Sequence, residues 1–150
     1  MRFLLAALLL LLAVDAQAQG AEKGDLQVRH PWSRATPPGA KVAAGYMEIR
    51  NLGSQPDRLL SASTAVAKRV EMHVTRREGE VARMRQVQSF EIPARERFAL
   101  RPGGSHLMLA DLVRPLAKGE RFAMTLRFER AGEMQIELEV QELGSRDPRH

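Results

Sequence analysis

Two histidines and two methionines follow one another at the spacing H-x10-M-x21-H-x-M in a chain that has no cysteine. They are His73, Met84, His106 and Met108. Imidazole nitrogen and thioether sulfur together favour copper, above all copper(I), over the hard cations that carboxylates bind. The spacing therefore predicts a copper(I) site built from these four side chains. The absence of cysteine excludes thiolate ligands and thiol chemistry.

The alternation of apolar residues indicates which way these side chains point, because successive residues of a strand face opposite sides of the sheet. His73 lies between Met72 and Val74, which belong to an apolar set, and it is predicted to point away from the core. By the same alternation, His106 and Met108 lie side by side on the face opposite their leucine neighbours. These two residues are expected to act together as a pair of ligands.

The other methionines alternate with aliphatic and aromatic residues and are predicted to be core side chains. They are Met47, Met72, Met124 and Met134. Met84 instead shares its face with Ala82 and Gln86. Its neighbours therefore do not indicate a core position.

The N-terminus has the pattern of a secretory signal peptide. Arg2 precedes an apolar run over residues 3–14, and small residues stand at Ala16 and Ala18. Cleavage after Ala18 is expected, because the run is too short to span a bilayer as a mature helix. We predict a signal peptide over residues 1–18, one domain over residues 19–143 and a disordered tail over residues 144–150. No mature transmembrane span is expected, and export would place the protein in the periplasm.

Short alternating segments separated by Gly and Pro turns follow one another through the mature chain, without any long helical period. This pattern predicts an all-β fold, an antiparallel sandwich or Greek-key barrel. The predicted strands are Leu26–His30, Val42–Asn51, Asp57–Ser61, Lys68–Thr75, Val81–Val87, Arg97–Arg101, Ser105–Leu109, Arg121–Glu129 and Met134–Gln141. Trp32 and Tyr46 are predicted to be buried.

The charge distribution and the sequence motifs are compatible with three classes of function. The net charge is +5, but the arginines are scattered, so nucleic acid is not expected as a ligand. No catalytic triad order or phosphate-binding glycine loop is present, and Glu71 is interpreted as a surface residue, so an enzyme is not expected. A copper-binding protein is the main hypothesis. The alternatives are a metal-free β-sandwich that binds an envelope protein and a copper-dependent oxidase.

The chain resembles the periplasmic copper(I) chaperones of the PCu(A)C family, whose metal motif has the spacing given above. His73, Met84, His106 and Met108 match that motif position for position. Four further segments are also similar to the family: residues 32–39, 44–51, 103–109 and 114–119. The similarity extends roughly from Leu26 to Val140, nearly the whole predicted domain.

The resemblance implies a cupredoxin-like β-barrel that carries copper(I). It also implies delivery of copper to the dinuclear copper centre of cytochrome c oxidase subunit II, together with a thiol-containing assembly protein. We expect a monomer that is not an enzyme.

Overall fold

Eleven β-strands and no helix make up residues 20–148, the part of the chain that the computed structural model describes. The strands are β1 (Gly20–Lys23), β2 (Leu26–Arg34), β3 (Val42–Asn51), β4 (Asp57–Thr64), β5 (Ala67–Glu78), β6 (Val81–Val87), β7 (Phe90–Ile92), β8 (Arg97–Leu100), β9 (Ser105–Leu112), β10 (Arg121–Phe128) and β11 (Gly132–Gln141). The predicted all-β class is confirmed.

Hydrogen bonds join these strands into one mixed sheet. Its order is β6-β5-β9-β3-β2-β11-β10-β4-β7, with β1 paired to β2 and β8 paired to β3. All described pairings are antiparallel except that of β2 with β11. The sequence pattern predicted antiparallel strands, and this one parallel pair departs from that prediction. A parallel pair needs a long connection between its strands, and here β3 to β10 provide it.

The hydrophobic core comes from residues that alternate along neighbouring strands. On β10 and β11, Phe122 pairs with Leu138 and Met124 pairs with Ile136, and all four side chains are buried. Each strand thus turns one face to the core. The four methionines predicted to be core residues are buried, which confirms that prediction: Met47, Met72, Met124 and Met134. Trp32 and Tyr46 are also buried, with ring centroids 4.7 Å apart.

Strand boundaries match the sequence prediction for β3 and β6 and differ elsewhere. β1 and β7 were not predicted, because four and three residues are too few to show alternation. β2 continues to Arg34 past Pro31, across a register shift between Arg29 and Trp32, and His30 has a φ of 49°. The predicted strand ended at His30, but the irregular ladder accommodates Pro31 within β2.

The predicted signal peptide lies outside the described residues. No helix among residues 20–148 is long and apolar enough to cross a membrane. The proposed limits of the domain and of the tail stay predictions.

Candidate metal centre

His73 and His106 lie directly opposite each other on two neighbouring strands. β5 and β9 pair in antiparallel register, and the register places one histidine across from the other. Directly opposed residues project from the same face of a sheet. The ring centroids are 5.7 Å apart, and the ring planes are inclined by 31°. The fold therefore brings together two predicted site residues that are distant in the sequence.

Both methionines are on the same face as the imidazole pair. Met108 lies two residues after His106 on β9. Met84, on β6, is opposite Thr75 of β5, and Thr75 lies two residues after His73. Residues at this spacing share a face, and diagonal neighbours on adjacent strands are within reach of long side chains. All four predicted site residues thus belong to one face of the β6-β5-β9 segment.

The burial of these four side chains is uneven. His73 is 8 % exposed and His106 is 7 % exposed, whereas Met108 is half-buried and Met84 is 57 % exposed. The prediction that the histidines point away from the core is confirmed, because their strand neighbours Met72 and Leu107 belong to the core cluster. Both imidazoles are nevertheless largely shielded from solvent. β5 and β9 are internal strands shielded by neighbours, while β6 is an edge strand.

The ring separation fits one ion shared by both imidazoles. A metal bonded to a ring nitrogen at about 2 Å lies about 3 Å from the ring centroid, so two rings that share an ion have centroids up to about 6 Å apart. The observed 5.7 Å lies within this limit. The separation of the rings is therefore compatible with both imidazoles binding one ion.

Hydrogen bonds assign the proton on each imidazole. His73 Nε2 is 2.9 Å from Glu71 Oε2, and His106 Nδ1 is 3.0 Å from the carbonyl oxygen of Gly104. Carboxylate and carbonyl oxygens only accept, so these two nitrogens carry the hydrogens and donate them. In the neutral form of each ring, Nδ1 of His73 and Nε2 of His106 are then the nitrogens without hydrogen. A metal ion can bind only such nitrogens.

The unprotonated nitrogen of His73 is buried and has no hydrogen-bond partner among residues 20–148. A buried polar atom without a partner costs free energy, and its presence in a folded protein calls for an explanation. No group of three or more His, Cys, Asp or Glu side chains in that range is arranged to hold a metal ion. The other predicted donors on the same face are the His106 imidazole and the thioethers of Met84 and Met108.

Glu71 is the residue at this site that the sequence interpretation missed. Its carboxylate accepts a hydrogen bond from Arg69 Nε at 2.9 Å as well as the bond from His73, and Arg69 also contacts Asp111. The bond from Arg69, followed by that from His73, holds the pKa of Glu71 below its ordinary value. The side chain is 18 % exposed, so it is not plain surface. Its position two residues from His73 was the signal that could have revealed it.

The turn before β9 fixes His106. Gly103 has a φ of 82°, a conformation that glycine adopts at little cost. The following carbonyl, of Gly104, accepts hydrogen bonds from His106 Nδ1 and from the backbone nitrogen of Thr75. Gly103 and Gly104 thus form a bend just before His106.

Burial lowers the pKa of His106 below its ordinary value of 6.5; the hydrogen bond to Gly104 opposes this effect, and the charge of His73 adds to it. The folded state therefore binds fewer protons than the unfolded state just below pH 6.5, and stability falls as the pH falls through that window. We expect the urea midpoint of the metal-free protein to decrease from neutral to acid pH. The decrease should be smaller in His106→Leu. A constant difference between the two proteins across this range would contradict the assignment.

These observations define a class: a small all-β domain with two buried imidazoles and two thioethers on one sheet face. The predicted cupredoxin-like fold is confirmed by solved structures. The copper-bound PCuAC domain from PmoF2 is 31 % identical in sequence with a TM-score of 0.74, covering 83 % of this chain and 98 % of that one. The copper(I) form of DR1885 from Deinococcus radiodurans is 31 % identical with a TM-score of 0.64, covering 87 % and 85 % of the two chains.

Residues 26–140 match the LpqE-like family, described as lipoprotein LpqE-like. The protein Lxx21020 of Leifsonia xyli subsp. xyli, named as a lipoprotein, is 33 % identical over 118 residues, which cover 78 % of this chain and 70 % of that protein. This chain belongs to the LpqE-like family. Its predicted resemblance to PCu(A)C domains is confirmed at the level of family and fold.

Proposed function

We propose that this protein is an exported copper(I) chaperone that holds one copper(I) ion with His73, Met84, His106 and Met108. The observation that carries the proposal is the buried imidazole pair, in which His73 Nδ1 has no hydrogen-bond partner among the described residues. The copper-bound PCuAC domain from PmoF2 and copper(I) DR1885 support it, because both share this fold.

The donor set suits copper(I) in particular. Copper(I) imposes little geometry of its own, so two imidazoles and two thioethers from three strands can surround it without a strict angle. All four ligands are neutral, and the loaded site keeps the single positive charge of the ion. Without a thiolate the affinity is expected to be moderate. A thiol-bearing acceptor can then take the metal.

The uneven burial suggests the direction of transfer. Met84 is exposed on the edge strand β6, whereas both imidazoles are buried on internal strands. An incoming ligand from a partner meets Met84 first. We infer that Met84 is the first donor to be replaced and that the histidines hold the ion until the acceptor has bound it.

The partners and location follow from the same proposal. We propose that the protein acts in the periplasm after loss of residues 1–18, as a monomer, and that it binds neither nucleic acid nor a catalytic substrate. The copper acceptor is proposed to be the dinuclear copper site of cytochrome c oxidase subunit II, with a thiol-containing assembly protein as the second partner. The PCu(A)C resemblance is the support for these partners.

X-ray absorption on the copper(I)-loaded mature protein tests the ligand set. We expect one copper per chain, with two nitrogen and two sulfur neighbours. Competition with a copper(I) chelator measures uptake on the same sample. Failure to take up stoichiometric copper(I) would favour the metal-free envelope-binding alternative. Turnover of reducing substrates with oxygen by the copper form would favour the oxidase.

A further inference from the structure

Glu71 approaches the candidate site without belonging to the donor set. It lies two residues before His73 on β5 and pairs with Met108 across the ladder, so its side chain shares the face of the site. Oε2 accepts the hydrogen from His73 Nε2 at 2.9 Å, while Oε1 accepts one from Arg69 Nε at 2.9 Å. The carboxylate is therefore held from two sides.

Arg69, the second residue hydrogen-bonded to Glu71, is itself held by an ion pair. Arg69 also contacts the Asp111 carboxylate, from β9, so a chain of charged groups leads from β9 through Arg69 and Glu71 to the imidazole of His73. A carboxylate fixed in this way can hold an imidazole more firmly than one that rotates freely. The exposed ion pairs contribute little stability. Their evident effect is on the orientation of Glu71.

The two histidines form their hydrogen bonds through different ring nitrogens. A backbone carbonyl takes the Nδ1 hydrogen of His106, whereas a carboxylate takes the Nε2 hydrogen of His73. The nitrogens left for a metal are Nε2 in His106 and Nδ1 in His73. The acceptor for His106 is a main-chain carbonyl, whereas the acceptor for His73 is a side chain. Substitution of Glu71 by alanine therefore removes the acceptor for His73.

We propose that Glu71 is a positioning residue for copper(I): it fixes the tautomer and the ring orientation of His73, so that Nδ1 is the nitrogen that binds the ion. This inference rests on the proposed function. Partners that orient a metal-bound histidine commonly change metal affinity by about 10- to 100-fold when they are removed. The negative carboxylate also offsets the charge of an ion that four neutral ligands leave uncompensated.

The test combines nitrogen NMR with copper binding. In metal-free protein labelled with ¹⁵N-histidine, long-range proton–nitrogen correlations identify which nitrogen of His73 carries the hydrogen. We expect the Nε2–H form in the wild type and in Glu71→Gln, whose single amide oxygen can accept from His73 Nε2 when it gives up the bond from Arg69. In Glu71→Ala we expect a mixture of tautomers. Copper(I) affinity should fall about 10- to 100-fold in Glu71→Ala and stay within a few fold of wild type in Glu71→Gln.

Glu137→Ala is the matched control, because it removes an exposed glutamate that pairs with Arg121 at 3.3 Å on strands away from the site. It should change neither the tautomer nor the affinity. The proposal is overturned if Glu71→Ala keeps a single Nε2–H tautomer, if its affinity equals that of wild type, or if His73 of the copper(I)-loaded wild type binds through Nε2. The last measurement needs no variant to fold. Absence of copper(I) binding by wild type would instead reject the proposed function, while the tautomer of the metal-free protein could still be determined.

Discussion

His106→Leu is expected to lower the copper(I) affinity more than about 100-fold while the domain stays folded. Removing a residue that only orients a ligand already changes metal affinity by about 10- to 100-fold, and loss of a ligand should exceed that range. Folding should survive because leucine has a similar size and because the Gly104 carbonyl keeps its bond from the Thr75 backbone nitrogen. The lost side-chain hydrogen bond is worth about 1 kcal/mol.

The measurement is a competition titration with a copper(I) chelator at neutral pH, with circular dichroism to establish folding. Two methionine variants supply the matched comparison. Met108→Leu removes a thioether from the site face, whereas Met72→Leu removes one from the core face of β5. Both exchanges nearly conserve volume and should cost less than about 1.5 kcal/mol of stability. Only Met108→Leu should weaken copper(I) binding, and equal affinities in the two variants would argue against thioether ligation.

Alternation along single strands predicted the direction of the site residues, and it did so from local information alone. The positions of His73 between Met72 and Val74, and of His106 beside Leu107, were sufficient to place both imidazoles opposite the core. Side-chain direction depends only on parity within a strand. The same reasoning identified the core methionines.

Register and burial were not predictable in this way, because they depend on which strands become neighbours. β5 pairs with β9, although three strands separate them in the sequence, and only this pairing sets His73 across from His106. The parallel pairing of β2 with β11 is equally non-local. Burial of the imidazoles follows from the internal positions of β5 and β9 in the sheet. The sequence interpretation placed Glu71 on the surface because it could not show that β5 and β9 are neighbours.

Copper(I) is expected to raise the thermal midpoint of the mature protein by on the order of 10 °C. A ligand that binds only the folded state at a free concentration of 1,000 times its dissociation constant adds about 4.1 kcal/mol of stability. For a domain of this size each kcal/mol corresponds to about 3 to 5 °C. Differential scanning fluorimetry in a copper(I)-buffered solution measures the shift. The His106→Leu variant should show little of it.

The stabilisation should be unevenly distributed, because the proposed ligands join three adjacent strands. His73 and His106 lie on internal strands that neighbours already hold, whereas Met84 lies on the edge strand β6, which pairs only with β5 among the described strands. An edge strand opens locally at a lower free energy than the core strands. Binding of copper(I) should therefore slow amide hydrogen exchange most in β6. In Met84→Leu that added protection should disappear from β6 while β5 and β9 keep theirs. Equal loss from all three strands would show that Met84 does not tie the edge strand to the ion.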